Sequence, residues 1–279
     1  MNIGIIGLGL IGGSLGLDLR SCGYRVLGVS RREQVCQKAI ERGVVDVAST
    51  NLSILAEAEI IFVCTPIAAI LPTVEQLIPH LDPATVLTDV GSVKAPVVDA
   101  IAPLWANFVG GHPMAGTADN GIDAAQAGLF VSKPYVLTPI DNTSVAATTK
   151  VEQIVKSIQA NIYYCSPQDH DRAVSLISHL PVMVSGTLVA TCNSNDLAVV
   201  KLAQQLASSG FRDTSRVGGG NPELGMMMAR YNREELLRSL QSYRQNLDKV
   251  INLIEQENWH SLEQQLQSNH VTRKQFVRE

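Results

Sequence analysis

Short apolar, β-branched runs recur through the first 166 residues, at 3–7, 25–29, 60–65, 85–89, 108–110, 135–138 and 162–165. Between them apolar residues return at helical spacing, as at Val145, Val151, Ile154, Val155 and Ile158 within 144–160. This alternation predicts an α/β fold whose N-terminal part is a Rossmann-type, mostly parallel sheet with helices on its faces. After Pro167 the strand signal stops. Segments 169–190, 196–208, 232–258 and 261–267 carry helical period, broken at Gly210, at Gly218 to Gly220 with Pro222, and near His260. The pattern therefore predicts two domains: a sheet domain over 1–166 and an all-helical C-terminal domain over 167–279.

The longest helical segment carries Leu236, Leu240, Tyr243, Leu247, Val250 and Ile254, spaced alternately four and three apart as in a coiled-coil seam. Asn232 is placed to cap it, with Glu235 three residues on. A helical domain of this size is small to bury so long a stripe alone, so the expectation is a homodimer through the C-terminal helices.

Composition narrows the partners. With 46% hydrophobic residues and a net charge of -4, the 279-residue chain has ample core material and no basic excess for nucleic acid or anionic membrane. Five scattered cysteines (Cys22, Cys36, Cys64, Cys165, Cys192) lack metal-site or redox-pair spacing and fit a reducing, cytoplasmic setting without a bound metal. No leader is expected ahead of the first strand, and no apolar run is expected to reach transmembrane length.

Gly7-Leu8-Gly9-Leu10-Ile11-Gly12 follows the first strand and opens a helix, the context a GxGxxG dinucleotide site requires. Gly7 suits the tight turn, Gly9 the approach of amides to the pyrophosphate, and Gly12 the packing of helix on strand. An NAD site would close its second strand with an acidic residue; here Ser30, Arg31 and Arg32 stand there, and two guanidiniums beside a hydroxyl predict NADP. Cys64, Thr65 and Pro66 end a later strand and are expected to line the cofactor crevice.

Beyond that, Asp89-Val90-Gly91-Ser92-Val93-Lys94 follows another apolar strand, with Ser92 at the expected helix start. His112, among Gly110, Gly111, Pro113 and Gly116, is expected in a glycine-rich turn after a strand. A rigidly held imidazole beyond a dinucleotide site is what a hydroxyl needs as proton acceptor while its carbon loses hydride.

These motifs, with Gly111-His112-Pro113-Met114-Ala115-Gly116-Thr117, Ser178-His179-Leu180-Pro181 and Gly210-Phe211-Arg212-Asp213-Thr214-Ser215-Arg216, resemble the prephenate/arogenate dehydrogenase family in order and over the whole length. The resemblance implies oxidative decarboxylation of a cyclohexadienyl acid with NAD or NADP, giving tyrosine or 4-hydroxyphenylpyruvate. It implies that His112 accepts the proton of the ring 4-hydroxyl, that Ser92 keeps that hydroxyl in register, and that Thr117, His179 and Arg216 bind substrate. Many relatives read His-Leu-Pro-His where this chain reads His179-Leu180-Pro181-Val182, and Gly-Thr-Glu-Lys-Ser-Gly where it reads Gly116-Thr117-Ala118-Asp119-Asn120-Gly121. Loss of basic side chains and gain of an acid suit the ammonium group of arogenate better than the keto acid of prephenate. A β-hydroxyacid dehydrogenase would want a lysine early in the helical domain, and 169–190 contains none. A non-catalytic NADP-sensing module is the remaining alternative, against which the His112 and Ser92 setting speaks.

Overall fold

A computed structural model describes residues 1–117 and 119–277. By its contacts the chain divides into two compact units, 1–233 and 234–279. The first unit is built on one eight-stranded sheet in the order β3-β2-β1-β4-β5-β6-β7-β8. The strands are β1 (Asn2–Ile6), β2 (Arg25–Val29), β3 (Val47–Ser49), β4 (Ile60–Val63), β5 (Val86–Asp89), β6 (Phe108–Pro113), β7 (Pro134–Thr138) and β8 (Asn161–Tyr164). All neighbours run parallel except β6 and β7.

Parallel strands are covered on both faces, so the central ones read as unbroken apolar runs. In β4, Ile60 and Phe62 join one core, with Ile3, Ile5 and Leu15, while Ile61 and Val63 join the other, with Leu27, Leu87 and Val98. Helices α1 (Leu10–Ser21), α2 (Glu33–Glu41), α3 (Ile67–Leu77), α4 (Ala95–Ile101) and α5 (Val145–Ser157) cover the sheet. The connections leaving β1 and β4 go opposite ways, which opens a crevice beyond the carboxyl ends of the strands.

Helix follows from Pro167: α6 (Pro167–Val174), a π-helical turn (Ser175–His179), α7 (Leu180–Asn193), α8 (Leu197–Leu206), α9 (Ser209–Ser215) and α10 (Pro222–Tyr231). Pro181 lacks the N–H that would close an ordinary turn, and a π turn sits just before it. Helix α11 (Arg233–Glu255) carries the chain into the second unit, where α12 (Trp259–Phe276) follows.

Several expectations are corrected. β3 escapes the sequence pattern because it is a three-residue edge strand with one apolar side chain besides Ala48. Gly210 lies inside α9 rather than breaking the chain, and Pro222 opens α10 at a first-turn position where its missing N–H costs nothing. Asn221 caps that helix by accepting from the Glu223 amide at 2.9 Å. The terminal helix runs on to Phe276. The uninterrupted helical stretch Pro167–Asn193 is, by length and composition, apolar enough to cross a membrane, contrary to the sequence reading. Its polar residues account for part of its sides: Ser185 is buried, its hydroxyl donates to Thr214 O at 2.9 Å and it accepts from the Gly218 amide at 2.8 Å.

Candidate active site

Three loops converge at the carboxyl ends of β1, β2 and β4. Gly7 has φ +95°, and a Cβ there would lie 2.6 Å from the Cys64 carbonyl oxygen; one on Gly12 would lie 2.0 Å from the Gly7 carbonyl oxygen. A side chain at either position would break the packing. At Gly9 nothing among the described residues stands within 4 Å of the Cβ position, and no side chain among them caps α1, which leaves that face of the loop open beside Leu8, Leu10 and Ile11. Gly7 N donates to Val29 O at 2.8 Å, which brings the turn holding Ser30, Arg31 and Arg32 next to the glycine loop. Ser30 Oγ accepts from the Arg32 amide at 3.4 Å, and both arginines are exposed without an ion-pair partner among the described residues. Thr65 Oγ1 is a buried hydroxyl without a partner among the described residues, and Pro66 precedes α3. The open glycine face, the uncapped helix and the orphaned hydroxyl fit a dinucleotide.

A buried ion pair frames the next part of the crevice. Asp89 and Lys94, both fully buried, bond to each other; Asp89 also accepts from Gly91 N at 2.8 Å and Gly111 N at 3.1 Å, and Lys94 Nζ donates to Gly111 O at 2.7 Å. Burial pulls the lysine pKa down while the Asp89 carboxylate pushes it back up. The pair stitches the Gly91 turn to β6, and Gly111 must be glycine because a Cβ would meet Asp89 O at 2.7 Å.

That stitch locates His112. The residue lies inside β6, opposite Val136, and is 9% exposed, so the expected open turn is corrected to a buried strand position. The physical reason is the glycine pair, which extends strand pairing past residue 110 and draws the chain against Asp89. His112 Nδ1 lies 2.8 Å from His170 Nε2, the rings edge to face with centroids 5.0 Å apart. His170 Nδ1 lies 2.7 Å from Asp171 Oδ1. Asp171 takes the capping place expected of Ser92: its oxygens accept from Lys94 N at 2.7 Å and Ala95 N at 2.8 Å, where α4 begins. Burial, and then the neighbouring His170, Lys94 and His179, hold the His112 pKa well below 6.5, so the imidazole is neutral.

His179, on the π turn, is fully buried. Asn232, expected as a helix cap, is buried too, and its amide nitrogen donates to Asp171 O at 2.8 Å and to His179 Nδ1 at 3.1 Å. His179 Nε2 has no partner among the described residues, and burial lowers its pKa to about 4. Ser92 is half-buried with no hydrogen bond among the described residues. Thr117 is exposed, its hydroxyl accepting from Asp119 N at 3.2 Å; Ala118 lies outside the described residues. Arg216 is exposed in the turn Arg216–Gly219 without an ion-pair partner among the described residues.

The sequence reading missed His170 and Asp171, and assigned nothing to the Asp89 and Lys94 side chains. The adjacent His-Asp pair at a helix start, beginning four residues after the Ser166 cap, was the available signal, but only the fold brings it to His112. The chain beyond His112 returns to the cradle as well: Ser14 Oγ accepts from Gln126 N at 3.0 Å, Asp18 Oδ1 from Gly128 N at 2.7 Å, and Arg42 donates to Ala125 O at 2.8 Å.

Comparison with known proteins identifies the family. Residues 15–164 match the family model of the prephenate dehydrogenase nucleotide-binding domain, and residues 166–268 that of the prephenate dehydrogenase dimerization domain. The prephenate dehydrogenase of Bacillus subtilis is 33% identical over 266 residues, 92% of this chain and 71% of that protein. The crystal structure of Synechocystis arogenate dehydrogenase is 54% identical, with a TM-score of 0.90 over 99% of this chain and 100% of that one. The prephenate dehydrogenase of A. aeolicus, solved with hydroxyphenyl propionate and NAD+, is 25% identical, with a TM-score of 0.94 over 99% and 98% of the two chains. Matches to both family models and to these relatives along nearly the whole chain place this protein in the prephenate/arogenate dehydrogenase family.

Proposed function

We propose that the protein oxidises and decarboxylates arogenate to tyrosine with NADP, in the cytoplasm. The observation that carries this reading is the buried, neutral His112 set at the crevice that the glycine cradle opens. The bound dinucleotide supplies the hydride acceptor. His112 accepts the proton of the ring 4-hydroxyl at Nε2, and the Ser92 hydroxyl, without a hydrogen bond among the described residues, holds that oxygen in register. Loss of the ring carboxyl as carbon dioxide is driven by aromatisation, so the protein has no long-lived intermediate to stabilise. Arg216 offers a guanidinium fork to a substrate carboxylate, and His179 and Thr117 offer polar contacts. We assign the cofactor to the 1–166 segment and substrate binding and dimerisation to 167–279.

Val182 and Asp119 support arogenate, as does the 54% identity to the Synechocystis enzyme. Prephenate is the second reading, favoured by the name of the B. subtilis relative. Initial rates with arogenate or prephenate, each with NADP or NAD, test both choices together. Arogenate with NADP is expected to give the highest kcat/KM, and Arg31→Ala with Arg32→Ala to cut the NADP to NAD ratio by about one to three orders of magnitude. A higher constant for prephenate, or an unmoved cofactor ratio, would reject the corresponding half.

The pH profile follows from the His112 environment. A base works unprotonated, and burial lowers its pKa, so the acid limb of kcat/KM is expected below pH 6.5. A limb at or above 6.5 would mean another group is titrating.

The homodimer is supported by the dimerization-domain match and by apolar side chains left exposed: Leu197, Val199, Leu202 and Leu206 on α8, and Tyr243, Leu247 and Ile254 on α11. Leu236 of the expected seam is buried, so the seam is only partly open. Light scattering is expected to give twice the chain mass, and a clean monomer would remove the dimer.

A further inference from the structure

We propose that His170 and Asp171 are positioning residues that hold His112 in the one tautomer able to accept a proton at Nε2. This rests on the reading of His112 as the base, and it concerns what keeps that base competent.

The argument is one of hydrogen counting. Asp171 is buried, and each of its oxygens already accepts a backbone amide, Lys94 N at 2.7 Å and Ala95 N at 2.8 Å. A carboxylate held this way is an acceptor only, so the hydrogen in the 2.7 Å contact with His170 sits on His170 Nδ1. A neutral imidazole protonated at Nδ1 has a bare Nε2, and that bare nitrogen is the atom 2.8 Å from His112 Nδ1. Between two neutral rings, only His112 can bring the hydrogen to that contact. Its own hydrogen is therefore on Nδ1 and its Nε2 lone pair is left for substrate. The other tautomer would set two lone pairs against each other between two buried rings, a costly unmade bond in a dry site. When a proton arrives at Nε2, the Nδ1 hydrogen stays donated to His170, and the carboxylate behind it balances the new charge.

The same counting gives His179 the opposite state. The Asn232 amide nitrogen can only donate, so His179 Nδ1 accepts and the hydrogen sits on the unpartnered Nε2. The cluster thus holds one imidazole as an acceptor and one as a donor. Chain order shows neither assignment, because His112 and His170 are 58 positions apart.

Two variants and one spectrum test the proposal on the full chain. His170→Leu removes the acceptor and is expected to lower kcat by about 10²–10³-fold, with substrate and cofactor KM within about threefold of the unmodified enzyme. His170→Gln keeps an oxygen that can accept the Nδ1 hydrogen, and is expected to retain at least about tenfold more turnover than the leucine variant. Equal losses in the two variants, unchanged turnover in the leucine variant, or a loss confined to KM would overturn the proposal. Ring-nitrogen NMR of 15N-histidine-labelled protein, with His112 assigned by its absence in His112→Asn, reads the tautomer without any reaction. Hydrogen on Nδ1 and a bare Nε2 are expected, and the reverse pattern overturns the proposal. If neither arogenate nor prephenate is turned over by the unmodified protein, the functional reading fails, while the tautomer still stands or falls on the spectrum.

Discussion

Replacing His112 by asparagine is expected to lower kcat by about 10²–10⁴-fold with little change in the KM of substrate or cofactor. The size follows from the role. A general base acts on the proton only as the transition state forms, so its loss removes stabilisation there and leaves ground-state binding nearly intact. Asparagine keeps a polar group of similar reach on β6 and can donate to His170, so the buried cluster around Asp171 stays paired. Single-turnover reduction of the dinucleotide, followed by its absorbance, separates this from a defect in product release. Turnover equal to the unmodified enzyme would end the assignment of His112 as base; a rise in KM alone would make it a binding residue.

Lys94→Met is expected to cost about 3–5 kcal/mol of stability, because it strands the Asp89 carboxylate in a fully buried site. Coulomb attraction and the bond from Lys94 Nζ to Gly111 O at 2.7 Å now offset the desolvation of two charges. With one partner gone, the Gly91 and Gly111 amides alone among the described residues remain to solvate the other. Adding Asp89→Asn is expected to recover part of the loss, since a neutral amide is cheaper to bury unpaired than a charge. Chemical denaturation of the single and double variants measures both terms. A single variant within about 1 kcal/mol of the unmodified chain would show that the pair holds geometry without holding stability. Activity should fall further than stability, because the same pair fixes the Gly111 backbone next to His112.

The parts of this protein legible in its residues are those governed by neighbours in sequence. Seven of the eight strands follow from apolar runs, the clearest being β4, which is buried on both faces and apolar at every position from Ile60 to Val63. The glycine cradle is equally local: Gly7 and Gly12 leave no room for a Cβ, and α1 begins within the same stretch. The family resemblance was carried by motifs of this kind. Elements with weak local signals were lost, β3 because an edge strand of three residues buries little, and α9 and α10 because glycine and proline punctuate a chain without always stopping a helix.

Amino-acid order alone determined the sheet-then-helix organisation, the glycine loop after the first strand and the choice of His112 as the proposed base, because each rests on motifs of a few residues. Tertiary structure alone decided that His112 is buried in a strand, that His170 and Asp171 stand behind it, that Asn232 faces His179 and that Lys94 neutralises Asp89. Those partners lie on separate elements, and a hydrogen bond between distant residues leaves no periodicity in the chain that makes it.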